Sequence, residues 1–218
     1  MPATFPVYIE VGTKRVFASA LNWPGWTRAA RTEGDALAAL FEYGPRYAKI
    51  VTRLAYVPPK SAGAFTIEER VKGDATTDFG APSIPATKDG RPIKADELTR
   101  LVTILERCWS AFDDSAAGNA RKKLQTGPRG GGRQISQMVD HVNEADRAYL
   151  GRLGVSSKAR DPGELHETFV EALKERARGE EPPPNPRRKA PLWVPRYAIR
   201  RSAWHALDHA WEIEDRSH

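Results

Sequence analysis

Residues 192–216 read LWVPRYAIRRSAWHALDHAWEIEDR. After Pro195 the run has neither glycine nor proline, so it is expected to form one long helix closing the chain. His205 and His209 stand four residues apart, one turn above each other on one face. Two such imidazoles can grip one metal ion together, and a zinc or nickel site needs at least one further nitrogen, sulfur or oxygen donor. The best candidate for it is His141, in an upstream stretch that is also helical by its pattern.

Working outward, Leu98, Leu101, Val102, Leu105, Cys108, Trp109 and Phe112 fall at spacings of three and four, an amphipathic helix facing a core. Cys108 lies on that stripe and reads as a buried, inert thiol. A second helix is expected from about Gln134 to Leu153, with Ile135, Met138, Val139, Val142, Ala145 and Tyr149 inward. A third, from Pro162 to Arg178, buries Leu165, Phe169, Ala172 and Leu173. With the last helix these make a four-helix bundle. If helices two and four run antiparallel, His141 comes to the height of His205 and His209 at ~1.5 Å rise per residue.

Three imidazoles leave an open position on the metal, whereas a closed set of four ligands would be structural. Glu144, one turn beyond His141, is the expected carboxylate behind an imidazole, ahead of Asp208. Arg201, one turn before His205, is a candidate for meeting an anionic substrate group, with a surface or supporting arginine as the other reading. His166 reads as a surface residue. Gly127-Pro128-Arg129-Gly130-Gly131-Gly132-Arg133 precedes helix two, and free N–H groups flanked by arginines make Arg129, Gly130, Gly131, Gly132 and Arg133 a candidate anion site. A plain surface connector has the same composition.

Before the bundle, residues 4–11 (TFPVYIEV) and 14–21 (KRVFASAL) flank Gly12-Thr13 and read as a β-hairpin. Asn22-Trp23-Pro24-Gly25-Trp26 breaks the pattern. A helix capped by Thr32 follows from Glu33 to Lys49, then a strand over residues 64–71. The fold class is therefore α+β: a small module over residues 1–80, a Gly- and Pro-rich linker over 81–94, and a helical bundle over 95–218.

The 218 residues, 40 % of them hydrophobic, suffice for a substantial core. No stretch approaches a membrane span and the first residues lack a leader pattern, so a cytoplasmic protein is expected. One cysteine excludes an internal disulfide and a cysteine zinc cluster. The net charge of +6 suits either nucleic acid or an anionic small molecule. The basic residues gather as Arg121, Lys122, Lys123, Arg129 and Arg133, and as Arg187, Arg188, Lys189, Arg196, Arg200 and Arg201. They read as solvated connectors or as an anion funnel beside the histidines.

The segments Val139-Asp140-His141-Val142-Asn143-Glu144-Ala145 and Trp204-His205-Ala206-Leu207-Asp208-His209, in a terminal bundle of four helices, resemble the DinB/YfiT-like superfamily over about residues 95–216. The hairpin, the Pro-Gly turn and Thr32-Glu33-Gly34-Asp35-Ala36-Leu37-Ala38-Ala39-Leu40 resemble the HicB-like antitoxin fold over about residues 5–50. The first resemblance implies a divalent metal on His141, His205 and His209, an activity such as thiol-dependent isomerisation or S-transfer with a low-molecular-weight thiol, and homodimers. The second implies a module that engages a protein or nucleic acid. Two functions are thus expected in competition: a metal-dependent thiol transferase or hydrolase, or a noncatalytic binding protein scaffolded by the bundle.

Overall fold

The computed structural model describes residues 4–125, 134–186 and 190–217. The chain divides into two compact units, Met1–Arg91 and Pro92–His218, so residues 81–91 of the expected linker belong to the first of them. It is a mixed α+β protein, with a four-stranded sheet in the first unit and a helical second unit.

In the first unit β1 (Phe5–Val11), β2 (Val16–Ala20) and β3 (Thr27–Ala30) form an antiparallel meander. The third strand was not expected, because Thr27-Arg28-Ala29-Ala30 carries only one β-branched residue. Next come α1 (Glu33–Glu42) and α2 (Gly44–Ile50). The single helix expected over 33–49 is broken there because Pro45 has no N–H to give and its ring crowds the preceding turn. The chain returns as β4 (Phe65–Lys72), parallel to β1 at the sheet edge, in the order β3-β2-β1-β4. Trp26 stacks on Tyr47 at 5.7 Å, and its Nε1 donates to the Leu40 carbonyl at 2.8 Å, tying the turn before β3 to both helices.

The segment after β4 is ordered by a buried carboxylate. Glu10 on β1 accepts from the backbone N–H groups of Ser83 (2.9 Å) and Ile84 (3.2 Å) and from the Thr77 hydroxyl (2.5 Å). Burial pushes the Glu10 carboxyl upward, and these donors oppose that push. The short α3 (Ala75–Phe79) is capped by Asp74, and Ala86 packs with Tyr8 and Leu21. A Gly- and Pro-rich composition therefore need not mark a free linker when one buried acid collects its donors.

The second unit consists of α4 (Ala95–Asn119), α5 (Ile135–Leu153), α6 (Pro162–Ala177) and α7 (Pro195–Arg216). The Pro195 ring suits the first turn of α7, where a missing N–H costs nothing. Contacts between α4 and α7 rise together: Glu97 with Arg196, Trp109 Nε1 donating to Ser202 Oγ at 2.9 Å, and Ser115 Oγ donating to the Ala210 carbonyl at 3.0 Å. These two helices are parallel. Contacts between α5 and α7 run oppositely, from His141 beside His209 to Tyr149 beside His205, so that pair is antiparallel, the condition under which the three histidines come to one height. Gly154 closes α5 at φ +98°, where a Cβ would lie 2.3 Å from Pro182. Among the described residues, no helix is long and apolar enough to cross a membrane.

Candidate metal centre

The antiparallel pairing of α5 and α7 brings one turn of each helix to a common height, and both expose an imidazole-bearing face to the other. His141, His205 and His209 meet there, with ring centroids 5.0 Å, 5.1 Å and 4.7 Å apart. One ligand nitrogen from each lies within 4.8 Å of the other two, close enough to hold a metal ion. His205 is buried and the other two are half-buried.

Two tests of chemistry support that fit. The Nε2 atoms of His141 and His205 are 3.2 Å apart, a hydrogen-bond separation between the two rings. Two nitrogens bound to one zinc at ~2.05 Å in tetrahedral geometry stand about 3.3 Å apart. The second test is orientation. His209 Nδ1 lies 3.0 Å from Glu212 Oε2, and because an ionised carboxylate can only accept, the proton is on Nδ1. The Nε2 lone pair of His209 is then left for a ligand bond.

Glu212 is held from behind by the Arg216 guanidinium, one turn further along α7. The hydrogen bond from His209 keeps its carboxyl below the ordinary carboxylate range, against the upward push of burial, and Arg216 adds to the lowering. Glu212 therefore occupies the place expected of Glu144, which is exposed on α5. The sequence does carry the signal, since His209 and Glu212 are three apart on one helix face.

A wall of rings borders His205. Tyr149 and Trp204 each lie 5.9 Å from it between centroids, and Trp193 lies 5.1 Å from Tyr149. The Arg201 guanidinium sits over Trp204 at 4.6 Å and over Tyr149 at 5.3 Å. Arg196 and Arg200, expected in a solvated connector or funnel, are 5 % and 2 % exposed, and Arg196 is bonded to Glu97 and to the Pro92 carbonyl. They lie on buried positions of α7, so their charge belongs to the interior of the unit. The candidate anion site at Arg129, Gly130, Gly131, Gly132 and Arg133 lies outside the described residues.

A second polar constellation was missed at the level of sequence. Asp146, 1 % exposed, accepts from Ser202 Oγ at 2.6 Å and faces His166 Nε2 at 3.3 Å. The His166 ring lies parallel to Trp109 at 3.8 Å between centroids. His166 is thus no simple surface residue; it joins α6 to Trp109 on α4 and to Asp146 on α5, and Asp146 in turn holds Ser202 on α7. Cys108 is fully buried, and burial alone pushes its thiol pKa up, as expected of an inert core cysteine.

No family model matches the chain, and neither a curated protein nor a solved structure matches it.

Proposed function

We propose that the helical unit is a DinB-like, divalent-metal-dependent enzyme in which His141, His205 and His209 hold zinc or nickel, acting as a thiol transferase or hydrolase. The observation that carries this reading is the convergence of three imidazoles from two helices, one of them fixed in its tautomer by Glu212. Three neutral nitrogen donors suit a borderline divalent ion and leave room in its coordination shell, which a closed structural site does not. Bound there, the ion would lower the pKa of a coordinated water or low-molecular-weight thiol and polarise an electrophile.

The protein's own part in this chemistry is orientation. Glu212 holds the His209 proton at Nδ1 and Arg216 holds Glu212, so the ring cannot turn its protonated nitrogen inward. Tyr149 and Trp204, both buried, border His205 and limit the water that reaches that side. Thiol transfer is preferred to hydrolysis through the likeness of the two histidine motifs to the DinB/YfiT-like pattern. The first unit is read as a HicB-like accessory module on its hairpin, Pro-Gly turn and capped α1.

The test is metal content by mass spectrometry on untagged protein beside the His209→Ala variant. About one divalent ion per chain, lost in the variant, is the expected result and leads to a screen of thiol-transfer substrates. Absence of metal from the wild-type protein after reconstitution with zinc and with nickel would sink the proposal.

A further inference from the structure

We propose that Arg201 is the anion anchor of the three-histidine centre, and that the small molecule taken there carries an oxyanion, carboxylate or phosphate. This inference rests on the metal reading and names the substrate class of the same site.

Position comes first. Arg201, His205 and His209 follow one another at intervals of four along α7, so Arg201 lies on the histidine face, its Cα ~6 Å from that of His205 along the axis. The two rings that carry it, Trp204 and Tyr149, are the same two that border His205. An anion held by Arg201 is therefore one ring-width from the metal ligands.

The state of the guanidinium is the second observation. Arg201 Nη1 is buried and has no hydrogen-bond partner among the described residues. Arg196 Nε on the same helix is likewise without a partner, but Arg196 and Arg216 each direct a terminal guanidinium nitrogen at a carboxylate, Glu97 and Glu212, and no carboxylate meets Arg201 Nη1 among the described residues. Stacking occupies the flat faces of a guanidinium but satisfies none of its N–H groups, which point outward in the plane. A buried donor left without an acceptor costs stability and calls for a partner that arrives from elsewhere. The planar fork matches the two oxygens of a carboxylate or phosphate.

Charge balance is the third. Three neutral imidazoles do nothing to offset the two positive charges of a divalent ion, the Glu212 carboxylate behind His209 is already paired with Arg216, and Arg201 adds another positive charge beside them. A ligand bearing an oxyanion reduces this repulsion and uses the vacant N–H at once.

The experiment is calorimetric titration of the zinc-loaded protein with succinate, with inorganic phosphate and with uncharged succinamide, zinc content being measured on the same samples. Wild-type protein is expected to bind at least one oxyanion and not succinamide. Binding of succinate alone assigns a carboxylate; binding of phosphate alone assigns a phosphate ester. Arg201→Gln is expected to keep its zinc and to bind the oxyanion at least tenfold more weakly, with Arg201→Lys in between. Equal binding by Arg201→Gln and wild type, equal binding of succinate and succinamide, or no oxyanion binding by the wild type overturns the anchor. Should Arg201→Gln not fold, Arg201→Lys decides, since it keeps the charge and removes the planar fork: oxyanion binding equal to wild type overturns the anchor. A wild type that takes no zinc removes the metal reading and the anchor together, whereas zinc retained without dependence on Arg201 or on ligand charge removes only the anchor.

Discussion

Glu212 is the residue through which the site is held in one state. It accepts the Nδ1 proton of His209 while Arg216 fixes it from the next turn, so replacing it frees the ring to flip and change tautomer. Glu212→Ala is expected to weaken metal binding by roughly 10–100-fold, as loss of a carboxylate behind a metal-bound imidazole generally does. Competition against a chromophoric chelator measures it, and an unchanged affinity would show that orientation comes from packing alone. The three histidines themselves were legible, because helical spacing and an antiparallel partner suffice to place them. Asp146 was not: Ser202 and His166, its partners, lie on two other helices, and nothing in a linear pattern pairs them. Asp146→Ala leaves the Ser202 hydroxyl and the His166 imidazole without their buried acceptor. A loss of roughly 3 kcal/mol in urea unfolding is expected, and a change within experimental error would show that water takes the carboxylate's place.

At the scale of elements, the hairpin and the long helices were readable from alternation and from spacings of three and four. Their interruptions were harder. Pro45 splits what periodicity joins into one helix, and β3 pairs with β2 through backbone bonds that do not depend on its side chains. The segment carrying α3 had no apolar rhythm at all, since its anchor is the buried Glu10. Asp74 begins that helix, accepting from the Thr76 N–H at 2.7 Å and from the Ser83 hydroxyl at 2.7 Å. The Ser83 bond, with the cap bonds behind it, holds the Asp74 carboxyl below its unperturbed value of 3.8. A depressed acid contributes stability that is complete above the unfolded value and is lost as pH falls through the folded one. Asp74→Ala should therefore cost the first unit about 1 kcal/mol at neutral pH and progressively less below pH 3.8. Thermal unfolding of the two proteins at neutral and acid pH checks both halves, and a difference that grows with acidity would reverse the assignment.

The whole molecule contains two compact units, and the proposed ion touches only the helical one. Because the ligands come from α5 and α7, binding favours the folded state of that unit. Free zinc at 100 times its dissociation constant is expected to add about 2.7 kcal/mol. A melting transition that rises by several degrees with zinc, falls back with chelator and does not move in His209→Ala is the outcome to look for; a rise shared by the variant would place the zinc elsewhere. The division of the chain was read from the Gly- and Pro-rich stretch before residue 95, most of which belongs to the first unit, since the second begins at Pro92. The parallel association of α4 with α7 was not legible, because amphipathic stripes show that helices pack without showing which neighbours meet or in which sense.

That association sets the pace at which the helical unit comes together. Its most extensive helix pair joins residues 97–115 to residues 196–210, with α5, α6 and the proline-rich crossover between them. An up-and-down bundle gains its contacts between sequence neighbours, but here a long loop must close before the main interface returns anything. Refolding of this helical protein is expected to run on the slower timescale of domains that contain sheets.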